Sequence, residues 1–173
     1  NTSEAVAVTF MRPDGTYAAT GCTGFTNLRF SIPHRKAQGY AIYLDVDMFV
    51  LDDIANLWRY RRRGKWCCLK DGSNEVMVID CAAYRPAVEE VNFKKKWQFQ
   101  PPYLPIIPLT WNCEDQIHGR TRLLHFTDLK RQPWVYDNHP LKDVWTQLWT
   151  QLRNDAENGE ANDSNKDSAA IGR

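Results

Sequence analysis

With 173 residues, 43% of them hydrophobic and 25% charged, the chain can build one domain with a packed core, which excludes a low-complexity or wholly disordered protein. The net charge of +1 hides an asymmetry: five acids against two bases from Asn154 to Arg173 give that tail −3 and leave +4 on the body. A mildly basic body suits a small anionic ligand and is too weak a bias to argue for nucleic acid.

Along the chain, Ala5–Phe10 predicts a strand and Pro13-Asp14-Gly15 a turn. Phe25, Leu28 and Ile32 have near-helical spacing, and Pro33 is expected to end that segment. Tyr40–Leu44 is a short apolar run of strand formers leading into Asp45, as in a strand buried on both faces of a parallel sheet. Asp52-Asp53 predicts a helix N-cap, with Ile54, Leu57 and Trp58 on one face. The basic run from Arg59 to Lys65 suits the negative end of that helix, and offers a contact for a membrane surface. Trp66–Leu69 and Val76–Ile79 read as strands joined through Asp71-Gly72-Ser73-Asn74. Cys81–Trp97 is expected to be partly helical, and Pro101–Pro108 an extended loop. Arg122–Phe126 reads as a late strand. Pro140 suits a first helical position, ahead of an apolar stripe at Leu141, Val144, Trp145, Leu148 and Leu152. Beyond Arg153 the composition predicts disorder.

Five cysteines without a repeating spacing predict reduced, buried thiols and not a disulfide framework or zinc site. No signal peptide and no membrane-spanning apolar run is visible, which gives a cytoplasmic expectation with peripheral membrane contact through the basic run.

Chemistry concentrates first at Asp45-Val46-Asp47. Two carboxylates at i and i+2 just past a buried strand can converge on one cation if the chain turns there. Hard oxygen ligands suit Mg²⁺ or Mn²⁺, which commonly share their coordination with substrate phosphates. The same acids could instead cap the following turn. A second cluster is Leu123–Trp134, where His125 follows a strand and Lys130 and Arg131 lie shortly after it.

The stretch from Ala41 to Trp58 combines an apolar strand, D-x-D, an apolar step and "D-I-x-x-L-W". It resembles the D-x-D region of the family 8 glycosyltransferases, the glycogenin and lipopolysaccharide galactosyltransferase group. The resemblance runs from about Phe25 to Trp134. It implies that Asp45 and Asp47 bind Mn²⁺ (or Mg²⁺), which holds the diphosphate of a nucleotide sugar. Leu123–Trp134 is similar to the family's "H-[FY]-x-G-x-x-K-P-W" segment, which makes His125 the third metal ligand. Asp128 stands where the family has Gly, and Arg131 occupies the Lys register with Lys130 one step early. Both are diphosphate-binding candidates. Arg29 in Phe25–Phe30 and Asn112 in Trp111-Asn112 match positions expected at the donor. Asp80 is the candidate to face the sugar as catalytic residue.

The resemblance also leaves gaps. The family's first βαβ segment needs more residues than precede Phe25, and the "D-Q-x-x-x-N" element is not evident, Asp115-Gln116 coming after Trp111-Asn112.

The expectation is therefore an α/β domain at residues 1–153 of GT-A type, with a mixed, mostly parallel sheet flanked by helices, lacking its first βαβ segment. A disordered acidic tail follows at 154–173. The implied activity is metal-dependent, configuration-retaining transfer from a UDP-sugar or other nucleotide-diphosphate sugar to a carbohydrate or glycoconjugate acceptor. A non-catalytic nucleotide-sugar-binding remnant and a metal-dependent phosphohydrolase are the alternatives.

Overall fold

A computed structural model of the chain describes residues 3, 6–14, 16–17, 26–94 and 98–170, with side chains to residue 157. It divides into two units, Asn1–His125 and Phe126–Arg173. Among the described residues, the first unit holds β1 (Tyr40–Leu44), β2 (Met48–Val50), β3 (Trp66–Leu69), β4 (Val76–Asp80), β5 (Tyr103–Ile107), β6 (Cys113–Glu114) and β7 (Leu123–His125). Its α-helices are short, α1 (Ile32–Arg35) and α2 (Val88–Phe93).

One sheet has the order β1-β4-β3-β5 and the other β2-β7-β6. This is a mixed α/β architecture, but the mostly parallel sheet expected from the sequence is not what forms. β1–β4, β3–β4 and β2–β7 pair antiparallel; β3–β5 and β6–β7 pair parallel. Connection length explains the difference. β3 and β4 are joined by a tight turn in which Gly72 adopts φ +86° and Asp71 accepts from the Ser73 amide at 2.9 Å. A turn that short forces an antiparallel pair, whereas β3 reaches β5 through a long crossover carrying α2.

The two central strands alternate between two cores. Trp66 and Cys68 of β3, with Met77 and Ile79 of β4, face Phe30, Val91 and Phe99. Cys67, Leu69, Val76 and Val78 face Leu57, Ile107, Trp111 and Leu123. Burial on both faces is why these strands read as unbroken apolar runs. β1 is only half-buried apart from Tyr43, because it lies at the sheet edge and not in the sheet interior.

Several local expectations are corrected. Pro33 does not end the segment at Thr26–Ser31, a 3-10 helix; it falls in the first turn of α1, where a missing N–H costs nothing. Ile54–Tyr60 is helical and Asp53 caps it, accepting from the Ala55 amide at 2.9 Å. It is a 3-10 helix, and Ile54, Leu57 and Trp58, joined by Tyr60, pack on one core as the sequence implied. Arg61 and Arg62 donate to the carbonyls of Trp58 and Arg59 at its end, as the basic run implied. Pro101–Pro108 contains β5, an edge strand able to carry exposed Pro105, and the register against β3 slips between Cys68 and Leu69. Val6–Phe10 belong to neither sheet. Cys67, Cys68, Cys81 and Cys113 are buried free thiols, and burial pushes Cys68 up to about 11. Cys22, Gly15, Phe25 and Trp97 lie outside the described residues.

In the second unit the Phe126 ring meets those of Trp134 and His139 edge-on. Helix α3 (Lys142–Ala170) follows Pro140, and its Trp145 and Trp149 rings stack. The helix continues past Arg153, where the polar composition predicts disorder. Among the described residues no helix is long and apolar enough to cross a membrane.

Candidate metal centre

Asp45-Val46-Asp47 forms the corner at which the chain leaves β1 and enters β2, passing from one sheet to the other. Asp45 still belongs to the first sheet, since its amide donates to the Glu75 carbonyl at 3.2 Å, one step beyond the Leu44–Val76 pair. Val46 at the apex is 86% exposed. Asp47 directly precedes β2, whose first residue Met48 pairs with His125 at the end of β7. The hydrogen-bond register therefore carries His125 to Asp47, with Nε2 and Oδ1 3.2 Å apart across 78 positions of sequence.

The donor atoms of Asp45, Asp47 and His125 lie within 4.8 Å of one another. A small divalent cation at about 2.1 Å from each ligand needs donors no more than about 4.2 Å apart. Small adjustments of the partly buried aspartate side chains would close that difference. Two carboxylates with one imidazole fit Mn²⁺ well and Mg²⁺ acceptably. Three protein ligands would leave about three positions of an octahedron for water and phosphate oxygens.

Asp45 and His125 are braced from behind. Asp45 Oδ1 accepts from Arg29 at 3.1 Å and from the Tyr43 hydroxyl. Burial pushes the Tyr43 phenol far above its ordinary range, so it remains a donor. Arg29 lies over the Tyr43 ring at 4.8 Å and is almost wholly buried. It also donates to the Thr26 carbonyl and to both the carbonyl and the side-chain oxygen of Asn74, at 2.9, 2.7 and 2.8 Å. His125 Nδ1 lies 2.8 Å from Asn112 Oδ1. Burial opposes a charge on His125, but the carboxylates of Asp47, Asp45 and Glu75 outweigh it and raise its pKa above the usual imidazole value.

Of the residues singled out in the sequence, Asp45, Asp47 and His125 come together, with Arg29 and Asn112 directly behind them. Asp80 does not join them. It pairs with Tyr40 at the opposite end of β1 from Leu44, about 13 Å away at ordinary strand rise. Its carboxylate accepts there from the amides of Gly64 and Ala82, at 2.7 and 3.1 Å. Lys130 and Arg131 belong to the second unit, on an exposed turn. Asp128, in the glycine position of the motif, accepts from the Lys130 amide at 3.1 Å and pairs with Arg131 at 3.7 Å. Sequence reading missed Tyr43, Asn74 and Glu114. Tyr43 had a signal, sitting two residues before Asp45 on the same strand face. Asn74 had none, because only the β3–β4 turn brings it to Arg29.

Compared with family models, curated proteins and solved structures, the chain matches none of them.

Proposed function

We propose that Asp45, Asp47 and His125 hold a divalent cation, Mn²⁺ or Mg²⁺, and that the chain uses it to bind the diphosphate of a nucleotide sugar for glycosyl transfer. The observation that carries this reading is the convergence of a distant histidine on a D-x-D corner. The carboxylates alone could serve as turn caps. A buried imidazole brought to 3.2 Å of Asp47 by a separate strand has no capping role. The resemblance of the two motifs to family 8 glycosyltransferases supports the same reading, and Arg29 serves it by bracing Asp45 and not by reaching a donor, its hydrogen bonds being spent inside the protein.

When bound, the cation would offset charge growing on a nucleoside-diphosphate leaving group. The protein's own part is to hold Asp45 and His125 by the bonds described, beside a corner whose apex, Val46, is exposed to solvent. Asp80 lies away from the cluster, and no other acid is assigned to the sugar. That placement favours a second reading, in which the chain binds metal and nucleotide sugar without catalysing transfer.

The test is calorimetric titration of UDP with and without Mn²⁺. Binding that requires Mn²⁺ and falls at least tenfold in Asp45→Ala is expected. Equal binding with and without Mn²⁺, or in the variant, would overturn the assignment. Release of free sugar from a UDP-sugar would then support transferase chemistry, whereas release of inorganic phosphate would point to a phosphohydrolase.

A further inference from the structure

Asn112 and Glu114 bracket the start of β6, and neither is a metal ligand. Asn112 is buried, and its Oδ1 lies 2.8 Å from His125 Nδ1. Its Nδ2 donates to Glu114 Oε1 at 3.3 Å. Glu114 also pairs with His125 in the β6–β7 register.

This chain of contacts has a direction. An ionised carboxylate only accepts hydrogen bonds, so it holds the amide nitrogen of Asn112 towards itself. The amide oxygen must then face the histidine. An oxygen only accepts, so His125 Nδ1 must carry the proton. Nε2, the nitrogen beside Asp47, is then the one that gives up its proton to offer a lone pair to a cation. If Asn112 turned over, its oxygen would oppose Glu114 and its NH₂ would face Nδ1. The histidine would then carry its proton on Nε2, where a cation needs a lone pair. The backbone reinforces the arrangement: the Asp115 amide donates to the His125 carbonyl at 2.9 Å, from a left-handed residue at φ 47° that closes β6.

We infer that Asn112, held by Glu114, is the positioning residue that fixes the Nδ1–H form of His125 and so presents Nε2 to the cation. The inference rests on the metal reading for its purpose but not for its geometry. Asn112 thus acts through the histidine and not on the donor diphosphate. Partners of this kind typically change metal affinity by about 10–100-fold.

Two measurements separate this inference from the metal reading. Mn²⁺ titration calorimetry on Asn112→Leu, of similar volume and without polar atoms, is expected to show at least tenfold weaker binding than wild type. Asn112→Asp, whose carboxylate also accepts from Nδ1–H, is expected to retain most of it. Circular dichroism checks that each variant folds. The second measurement uses metal-free protein carrying Asp47→Ala, where no carboxylate competes for Nε2. Nitrogen-15 NMR of neutral His125, identified against a His125→Gln sample, is expected to show protonated Nδ1. Adding Asn112→Leu or Glu114→Leu is expected to move the proton towards Nε2. An unmoved proton in both double variants overturns the inference, as does undiminished Mn²⁺ affinity in Asn112→Leu. A wild type that binds no Mn²⁺ but shows the proton shift would sustain the positioning role and remove the metal reading.

Discussion

Arg29 spends nearly all of its hydrogen-bonding capacity inside the protein, on Thr26, Asn74 and Asp45. Its removal would leave a carboxylate without its counter-charge and two carbonyl oxygens without their donor. Arg29→Met is expected to cost about 3 kcal/mol in denaturant unfolding, the range for breaking one side of a buried ion pair. Excess Mn²⁺ should restore part of that loss by supplying positive charge to Asp45. His125 gives a pH dependence whose sign can be worked out. Its folded pKa lies above the ordinary imidazole value of about 6.5 because its carboxylate neighbours outweigh burial. Protonation therefore stabilises the metal-free protein fully below that unfolded value, and the contribution is lost as pH rises through the folded pKa. In chelator, melting temperature should fall as pH climbs above about 6.5. With Mn²⁺ the trend should reverse, since proton and cation compete for the same nitrogen. A chelated sample with no such fall would contradict the electrostatic balance described for the site.

At the scale of elements, the structure gives Asp80 a bracing role. Its carboxylate closes the turn that ends the basic run, where Gly64 adopts φ +70° ahead of β3, and it also receives the Ala82 amide after β4. Asp80→Ala is expected to lower unfolding stability by about 1–2 kcal/mol through the lost amide bonds. Mn²⁺ affinity in that variant should match wild type, because the cluster sits at the other end of the strand. Reduced cation affinity in a folded Asp80→Ala protein would show that the two ends of β1 are coupled. Elements were legible where a local pattern sufficed: β1, β3 and β4 follow from compact apolar runs, and Asp53 from its capping position. β5 was hidden by its prolines, which an edge strand tolerates. The 3-10 character of Ile54–Tyr60 was hidden because spacings of three and four coincide over so short a helix.

At the scale of the whole molecule, motif and topology part company. Asp45, Asp47 and His125 could be named in advance because each borders an apolar run, and the resemblance joined them. Strand direction could not be read this way, since it depends on which connections cross over and which turn back. The supports behind the ligands were equally hidden. Asn74 and Glu114 become partners of Arg29 and Asn112 only once the sheets are assembled. The corner at Val46 has one more consequence. It is one of the covalent links between the two sheets, and His125 meets it from a strand 78 positions away. A cation bound there would act as a reversible cross-link closing a long chain loop. Folding would then draw on ion concentration by mass action, gaining about 2.7 kcal/mol when the free cation reaches a hundred times its dissociation constant. Thermal melts across a manganese series should climb with the logarithm of free metal, and Asp47→Asn should flatten that climb. The resistance of this chain to unfolding would then be a gauge of the ion supply around it.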